Sequence, residues 1–403
     1  MYKQQISQFE LAFFRFTSVA VHLLILTMFV LCLAFSAVVP AKAATRYEAG
    51  ISTNLSLLRM SDKTLNKRLS DIKALGAEWV RIDFNWALIQ PKAANRYDWK
   101  LYDRLVRITG QHGLKILAVL SYTPSWARKP ACNKAIVDRN LAMRCTPRSA
   151  YEFSRFAAVA SHRYKGQAVR AWEIWNEPNL TGYWKTVGDG GTPFVDAKMY
   201  ARIADGAAQQ IRYHYPDSVI VVGGLAPMFE PHTTTGMRQS EFLRTVLPHL
   251  HSQYFDAVGV HPYTWPILPD TVADYNAFYT VDGGKEELSI RAVMDEKGWS
   301  DKEIWATEFG AGTQGLRVST TREDIERFGR PDHVTEDMQA RIIRKGMELW
   351  YHKDNVGPMF VHSDSDRWLT PHKANEAGFG LRRHDGTPKP AYQAFQAAAA
   401  QLR

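Results

Sequence analysis

Hydrophobic and polar positions follow two alternating patterns along the chain from about residue 47 onwards. Short apolar runs, typical of buried strands, alternate with longer segments in which apolar residues recur every three or four positions, as in amphipathic helices. The predicted strands are Tyr47–Asn54, Trp79–Trp86, Lys115–Ser121, Ala171–Asn176, Val219–Leu225, Ala257–Tyr263, Ile304–Glu308 and Pro358–His362. The predicted helices are Thr64–Leu75, Trp99–Gln111, Ala150–Tyr164, Ala197–Tyr213, Ser240–His251, Glu286–Lys297, Glu336–Tyr351 and Ala391–Leu402. This order predicts repeated βα units and a parallel sheet of the α/β class.

Strands that are each followed by a helix predict a (β/α)8 TIM barrel, formed as a single domain by residues 45–403. Gly76, Gly113 and Gly166 each follow a predicted helix, where a residue in the left-handed conformation commonly ends it. The rival fold, an open doubly wound sheet, would need a glycine-rich phosphate turn after the first strand. The first strand runs instead into Ile51–Leu55, which has no such motif, so the barrel is favoured.

The N-terminal segment is predicted to lie outside this fold. Lys3 and Arg15 precede an apolar run over about residues 19–39, and Ala41-Lys42-Ala43 follows it. This pattern is typical of a secretory signal peptide, but a run of about 20 apolar residues can also span a bilayer if it stays uncut. Residues 1–44 are therefore a signal peptide or a membrane anchor. The rest is expected to be exported, either periplasmic or secreted, or held at the inner membrane by that anchor.

Cysteine usage agrees with export. Cys32 lies in the apolar run, so Cys132 and Cys145 are the pair left in the exported part. In an oxidising compartment we expect them to form a disulfide, the alternative being two free thiols. Two cysteines without histidines at matching spacing do not predict a zinc site.

The formal net charge of +9 bears on which kinds of partner the chain could bind. A positive balance is compatible with an acidic glycan or with a membrane surface. Nucleic acid is disfavoured, because the chain is expected to be exported and has no basic run with interleaved aromatic residues.

Two glutamates carry the candidate chemistry. Glu177 follows the fourth predicted strand in Asn176-Glu177-Pro178, and Glu308 ends the seventh. The carboxyl ends of barrel strands face one mouth, so both carboxylates are expected to reach one substrate there. Cleavage of a glycosidic bond needs such a pair, one to protonate the leaving oxygen and one to attack or to activate water. The predicted substrate is a polysaccharide or oligosaccharide, and this chemistry requires no cofactor and no metal.

Three motifs resemble those of the retaining glycoside hydrolases of clan A. They are Trp175–Pro178, His261-Pro-Tyr263 and Ala306–Gly310. Residues 173–184 resemble family 39 in particular, and within it the bacterial endoglycosidases encoded with exopolysaccharide synthesis and export machinery. The resemblance implies endo hydrolysis of an extracellular or periplasmic polysaccharide through a covalent glycosyl-enzyme, and association with that machinery.

The resemblance also implies roles for individual residues. Glu177 would be the general acid/base and Glu308 the nucleophile, while Asn176 would hydrogen-bond the 2-hydroxyl of the sugar. Arg81 would hold Glu308 ionised, unless it pairs with Asp83 instead. Further support would come from the sixth strand, where Tyr263 would donate to Glu308 and His261 would line the pocket.

Aromatic residues near strand ends are candidates for stacking on sugar rings, with packing in the core as the alternative. They are Trp86, Trp126, Tyr183, Trp184, Trp265 and Trp368. Clan members usually carry a tryptophan near the end of the eighth strand, and either His362 or Trp368 could take that place here.

Three other functions stay open at this point. One is an exo-β-glycosidase such as a β-xylosidase, and another is a transglycosylase that uses the same intermediate. The third is a glycan-binding component of a polysaccharide export system that does not hydrolyse its ligand. The intact pair of glutamates favours an enzyme, because a binding protein would not need both.

Overall fold

The computed structural model of the chain describes residues 48–135, 139–188, 192–228, 233–313, 333–367 and 377–402. The predicted N-terminal segment 1–44 and Trp368 lie outside the described residues. No helix in the described ranges is both long enough and apolar enough to span a bilayer.

Eight parallel strands close into a barrel in which chain neighbours are also neighbours in space. The strands β1–β8 are Ala49–Ser52, Trp79–Asn85, Lys115–Ser121, Val169–Asn176, Val219–Leu225, Ala257–Val260, Glu303–Phe309 and Val356–His362. Closure comes from β1, which pairs with β8 through Ala49 and Met359 and with β2 through Gly50 and Trp79. The predicted (β/α)8 barrel is confirmed.

Helices follow the strands at the positions that the periodicity predicts. The helices α1–α8 are Asp62–Ala74, Lys100–Gln111, Ala150–Tyr164, Ala197–His214, Gln239–Val246, Ile290–Glu296, Glu336–Trp350 and Pro390–Ala400. Side chains of Ser61, Asp196, Ser289 and Thr335 accept hydrogen bonds from the first turns of α1, α4, α6 and α7, satisfying amide groups that a helix leaves unpaired. Helix α5 is shorter than predicted because it passes into a 3₁₀ turn, Leu247–His249, at Pro248.

The barrel interior is apolar at its lower end and polar at its upper end. Rings of Trp79, Trp305 and Phe360 fill the lower end, with centroids 5.6 to 6.4 Å apart. We call these three residues the floor cluster. Gly50 faces it, and a Cβ there would collide with the Phe360 ring. Because alternate residues of a strand share a face, Arg81 follows Trp79 on the inner side of β2 and lies nearer the mouth.

Two loops meet on one side of the mouth. The loop after β3 contains the short helices Pro130–Ala135 and Arg139–Ala142 and a disulfide between Cys132 and Cys145, as predicted. The loop after β4 contains a small antiparallel pair, Thr186–Val187 with Pro193–Phe194. A parallel bridge between Cys145 and Lys185 joins the two loops.

Candidate active site

The end of β4 departs from regular strand geometry at the first glutamate. Trp175 and Glu177 have φ angles of 73° and 48°, a region that non-glycine residues seldom occupy and that concentrates at functional sites. Contacts on both sides hold this turn, because Trp175 Nε1 donates to Tyr183 O at 2.9 Å and Glu177 N donates to Gly224 O at 2.8 Å. Consecutive residues of a strand normally face opposite sides, but Asn176 and Glu177 both reach the polar end of the barrel.

Glu177 and Glu308 approach each other next to His261. One side-chain ligand atom from each of the three residues lies within 4.8 Å of the others. His261 Nδ1 lies 3.0 Å from Glu177 Oε1 and 3.8 Å from Glu308 Oε2. Both carboxyl groups are largely shielded from solvent, with side-chain exposures of 13% for Glu177 and 10% for Glu308.

Arg81 connects Glu308 to Glu173 and Asn176 of β4. Its Nη1 donates to Glu308 at 2.5 Å, its Nη2 to Asn176 Oδ1 at 2.7 Å and its Nε to Glu173 at 2.6 Å. The side chain is 1% exposed. A guanidinium matches this task because its planar fork presents several donors at fixed angles. Arg81 thus makes the predicted contact with Glu308, and among the described ion pairs it has none with Asp83.

The environment of Glu308 favours its ionised form. Burial by itself would raise the pKa of this carboxyl, but four neighbours lower that pKa well below its ordinary value. They are His261, His362, Arg81 and Tyr263, whose hydroxyl donates to Glu308 Oε2 at 2.8 Å. Because burial lowers the pKa of His362, that ring is neutral at neutral pH. His261 has the largest lowering effect, and Arg81 adds a positive charge that does not change with pH.

Glu177 has the opposite tendency. Burial raises the pKa of its carboxyl, and this outweighs the lowering by the hydrogen bond and charge of His261. The nearby negative charge of Glu308 raises it further. Two carboxyl groups less than 5 Å apart are therefore held in different protonation states, as acid–base chemistry at one bond requires.

Comparisons with known proteins identify the family of the chain. The sequence model of the family described as "Cellulase (glycosyl hydrolase family 5)" matches residues 42–328 of the chain. The chain belongs to glycosyl hydrolase family 5. This is a clan A family, so the predicted clan is confirmed. The family 5 match does not test the finer resemblance to family 39, which stays a prediction.

Solved structures of glycoside hydrolases share the fold. A family 39 glycoside hydrolase from Bacteroides cellulosilyticus is 19% identical, with a TM-score of 0.60 over 88% of this chain and 64% of that one. A β-xylosidase from Caulobacter crescentus is also 19% identical, with a TM-score of 0.59 over 87% and 67%. Xylanase 10B from Thermotoga maritima is 14% identical, with a TM-score of 0.57 over 88% and 95%. These identities support the fold alone.

Among curated proteins, the match is local. The β-amylase of Medicago sativa is 34% identical over 58 residues, which are 14% of this chain and 12% of the β-amylase. The match spans only a small part of that enzyme, so it says nothing about the activity of the family 5 chain as a whole.

Aromatic residues predicted to stack on sugars divide into two groups. Trp86 and Trp184 are fully buried, so the prediction is wrong for both. Trp86 is stacked on Phe156, and its Nε1 donates to Gln90; the ring of Trp184 packs against Trp175 and Tyr200. Each lies just beyond a strand end, where the helices cover it.

Trp265, Trp126 and Tyr183 stay partly exposed. Trp265 packs edge-on against Tyr263 at 4.9 Å and against Phe379 at 5.3 Å, which brings it next to the nucleophile candidate. Trp126 lies farther out, with its Nε1 hydrogen-bonded to Gln90 O at 2.8 Å. Of these three residues, Trp265 is therefore the one whose contacts place it next to the groups that bind Glu308.

His362 ends β8 and lies close to Glu308. Its ring is 7% exposed and packs on Phe379 at 5.4 Å between centroids, and its charge state affects Glu308. Of the two residues considered for this place, His362 lies at the end of the eighth strand, and Trp368 lies outside the described residues.

Sequence reasoning missed Glu173 as a site residue and named Asp83 only as an alternative partner of Arg81. Glu173 is fully buried, binds Arg81 and accepts a hydrogen bond from Thr307 Oγ1 at 3.1 Å. The available signal was one carboxylate inside the otherwise apolar run Ala171–Trp175, because a buried charge requires a partner. Asp83 follows Arg81 by two residues on the same face of β2, and burial raises its pKa to about 6.

Gly224 of β5 lies directly beneath this network. A Cβ at this position would collide with His261 Nε2 and Glu173 Oε1 and would lie 2.6 Å from Thr307 Oγ1. The three polar groups can approach the strand this closely only because residue 224 has no side chain.

Within the described residues, the group of acidic and histidine side chains close enough to hold a metal ion is Glu177, His261 and Glu308. Arg81 and Tyr263 already occupy the oxygens of Glu308, and a metal ion would have to compete with them. We therefore keep the predicted mechanism, which uses no metal ion.

Proposed function

We propose that the chain is a retaining glycoside hydrolase that cleaves a polysaccharide by double displacement. The observation that carries the proposal is the distance between the paired glutamates, whose nearest ligand atoms lie within 4.8 Å. Retaining enzymes hold their carboxyl groups about 5–5.5 Å apart, whereas inverting enzymes leave about 6.5–9.5 Å for a water molecule.

The protonation states support one assignment of roles. Glu308, held ionised by His261, His362, Arg81 and Tyr263, attacks the anomeric carbon, while protonated Glu177 donates its proton to the leaving oxygen. In the second step Glu177 takes a proton from water, and the water cleaves the glycosyl–Glu308 ester. Arg81 Nη2 donates to the side-chain oxygen Oδ1 of Asn176. The side-chain nitrogen Nδ2 of Asn176 is therefore left to donate to the 2-hydroxyl of the sugar.

Covalent trapping tests this function. The chain is incubated with activated 2-deoxy-2-fluoro glycosides of glucose, xylose, mannose and galactose, and its intact mass is measured. We expect a single glycosyl adduct that peptide mapping locates on Glu308 and that Glu308→Gln abolishes. No adduct with any of the four sugars, or an adduct on another residue, would contradict the proposal and favour a glycan-binding protein.

Azide rescue tests the other glutamate separately. Glu177→Ala should keep turnover of aryl glycosides with good leaving groups and lose that of natural linkages, because the missing acid matters most for poor leaving groups. Added azide should restore the second step and give a glycosyl azide with retained configuration. Wild-type turnover of natural linkages in Glu177→Ala would exclude Glu177 as the acid.

Endo action on an exported polysaccharide, within a family 39-like group, is part of the same proposal. It is supported by the motif in residues 173–184 and by the signal-like pattern in residues 1–44. An exo-acting β-xylosidase is the alternative, favoured by the fold similarity to the Caulobacter crescentus β-xylosidase. Sizing the products from purified polysaccharides separates the two, since endo cleavage releases oligosaccharides early and exo cleavage releases monosaccharides. Fractionating cells that express a C-terminally tagged chain tests export and membrane attachment.

A further inference from the structure

Two basic residues lie side by side where the loops after β3 and β4 meet. Lys185 N donates to Arg144 O at 3.0 Å, and Thr146 N donates to Lys185 O at 3.0 Å. The disulfide between Cys132 and Cys145 secures the first loop directly beside Arg144. Backbone pairing and a covalent bond therefore hold these two cationic residues on neighbouring loops at the mouth.

The guanidinium of Arg144 is oriented by the second loop. Its Cζ lies 4.4 Å from the ring centroid of Tyr183, and its Nη1 donates to Gly182 O at 3.0 Å. Its Nε is buried and has no hydrogen-bond partner. The aromatic ring and the carbonyl hold the fork in place at a low cost in side-chain entropy.

Neither cation is neutralised by the described parts of the chain. Arg144 and Lys185 form no ion pair with a described residue, although both are only partly exposed. Burial and the charge of Arg144 lower the pKa of Lys185, which reflects positive charge without a matching anion. By contrast Arg148, in the same loop, pairs with Glu152 at 2.7 Å.

This pair of cations is connected to the catalytic centre. Tyr183, beneath Arg144, is joined through its carbonyl to Trp175 of β4, two residues before Glu177. Tyr122, at the end of β3, packs 6.3 Å from Trp175 between ring centroids. Charges of Arg81 and Asp83 and of Arg144 and Tyr183 all act on its phenol. Tyr122 is therefore close enough to feel the charges both of Arg81 and Asp83 and of Arg144.

We propose that Arg144 and Lys185 form a subsite for the carboxylate of a uronic acid residue of the bound glycan, on the loops at the barrel mouth. A guanidinium binds a carboxylate through two parallel hydrogen bonds, and a second cation beside it increases the attraction. The inference rests on the proposed glycosidase function and names its substrate class as an acidic polysaccharide. The net charge of +9 has the sign that such a polymer requires.

Binding without turnover tests this subsite. Glu177→Gln, expressed from the full sequence, is titrated calorimetrically with oligogalacturonate, alginate and hyaluronan oligosaccharides and with carboxyl-reduced versions of the same lengths. We expect at least one acidic ligand to bind about tenfold more tightly than its reduced version at about 50 mM NaCl. That preference should shrink at about 500 mM, because salt screens charge.

Variants show whether the preference comes from this subsite. In the Glu177→Gln background, Arg144→Ala should remove most of the preference, and Lys185→Gln should reduce it by a smaller factor. Arg148→Ala is the matched control, because it removes a paired cation from the same loop, and it should leave the preference unchanged. Circular dichroism checks that each variant is folded. If Arg144→Ala does not fold, Lys185→Gln still tests the subsite.

Three outcomes would overturn the inference: equal binding of acidic and reduced ligands, no binding of any acidic ligand, or a preference that survives both substitutions. The trapping experiment on Glu308 is independent of these outcomes. An adduct without any acidic preference would refute only the subsite. An acidic preference without an adduct would refute only the catalytic function.

Discussion

At the scale of single residues, Arg81 connects the groups on β4 and β7. One buried guanidinium contacts Glu173, Asn176 and Glu308 within 2.7 Å. Truncating it would leave two carboxylates buried without their main counter-charge, which is costly in a site of low polarity. The position of one side chain therefore affects stability and acid–base chemistry together.

Arg81→Met should lower kcat/KM by about 100-fold or more, because the nucleophile loses the cation that keeps it ionised. Without Arg81 the pKa of Glu308 rises, so the acidic limb of the pH profile should move to higher pH. The free energy of unfolding should fall by about 3–5 kcal/mol, since Glu173 loses its partner. The pH profile of kcat/KM is measured on an aryl glycoside, and the free energy of unfolding is measured with urea. Arg81→Lys is the charge-preserving control. An acidic limb that does not move would contradict the assignment.

Asp83 should make stability depend on pH. Burial raises its pKa from 3.8 to about 6, so the folded state binds this proton more tightly than the unfolded state. The resulting stabilisation is present below the unfolded pKa and is lost as pH rises through the folded pKa. Asp83→Asn, which resembles the protonated form, should match the wild type near about pH 4 and exceed it by up to about 3 kcal/mol near about pH 7.5.

Urea unfolding at both pH values measures this difference. Asp217→Asn, at an exposed position before β5, is the matched control and should not alter the difference between the two pH values. Identical pH dependence in the wild type and Asp83→Asn would show that the Asp83 proton is not linked to folding.

At the scale of elements, the ends of β4, β5 and β7 meet so closely that a missing side chain becomes part of the site. Gly224 allows His261 and Glu173 to contact the backbone of β5. The positive φ angle of Glu177, 48°, turns its side chain toward the same point. The catalytic geometry thus depends on backbone conformation as well as on the choice of side chains.

Gly224→Ala should lower kcat by about tenfold or more with a smaller change in KM, because the added methyl group displaces His261 from Glu177. Since His261 lowers the pKa of Glu177, the alkaline limb of the pH profile should move to higher pH. Gly110→Ala is the control, because its Cβ would lie at an ordinary 3.6 Å from Ala168. Wild-type kcat and an unchanged alkaline limb would show that His261 does not position Glu177.

At the scale of the whole molecule, the barrel separates stability from chemistry along its axis. The floor cluster fills the lower end with aromatic rings, and the ionisable groups lie toward the mouth. Loops after the strands then surround the ionisable groups, which is where TIM barrels carry their sites. Changes at the floor should therefore affect folding and leave the reaction largely unaltered.

Phe360→Ala should lower the free energy of unfolding by about 3–5 kcal/mol, because it leaves a cavity among rigid rings. The pH profile of kcat/KM, measured well below the melting temperature, should keep its limbs. Leu101→Ala, at a side chain that is largely exposed on α2, is the control and should change stability little. A shifted limb in Phe360→Ala would show that floor and mouth are coupled.

The sequence by itself determined the order of strands and helices, the barrel and the two glutamates. Hydrophobic periodicity and strand-ending residues such as Pro178 act locally, so they can be read without coordinates. Tertiary structure alone decided that Trp86 and Trp184 are buried, that Arg81 contacts Glu173 as well as Glu308, and that Arg144 stacks on Tyr183. These facts depend on loop paths and on contacts between strands distant in the chain, and a one-dimensional pattern contains neither.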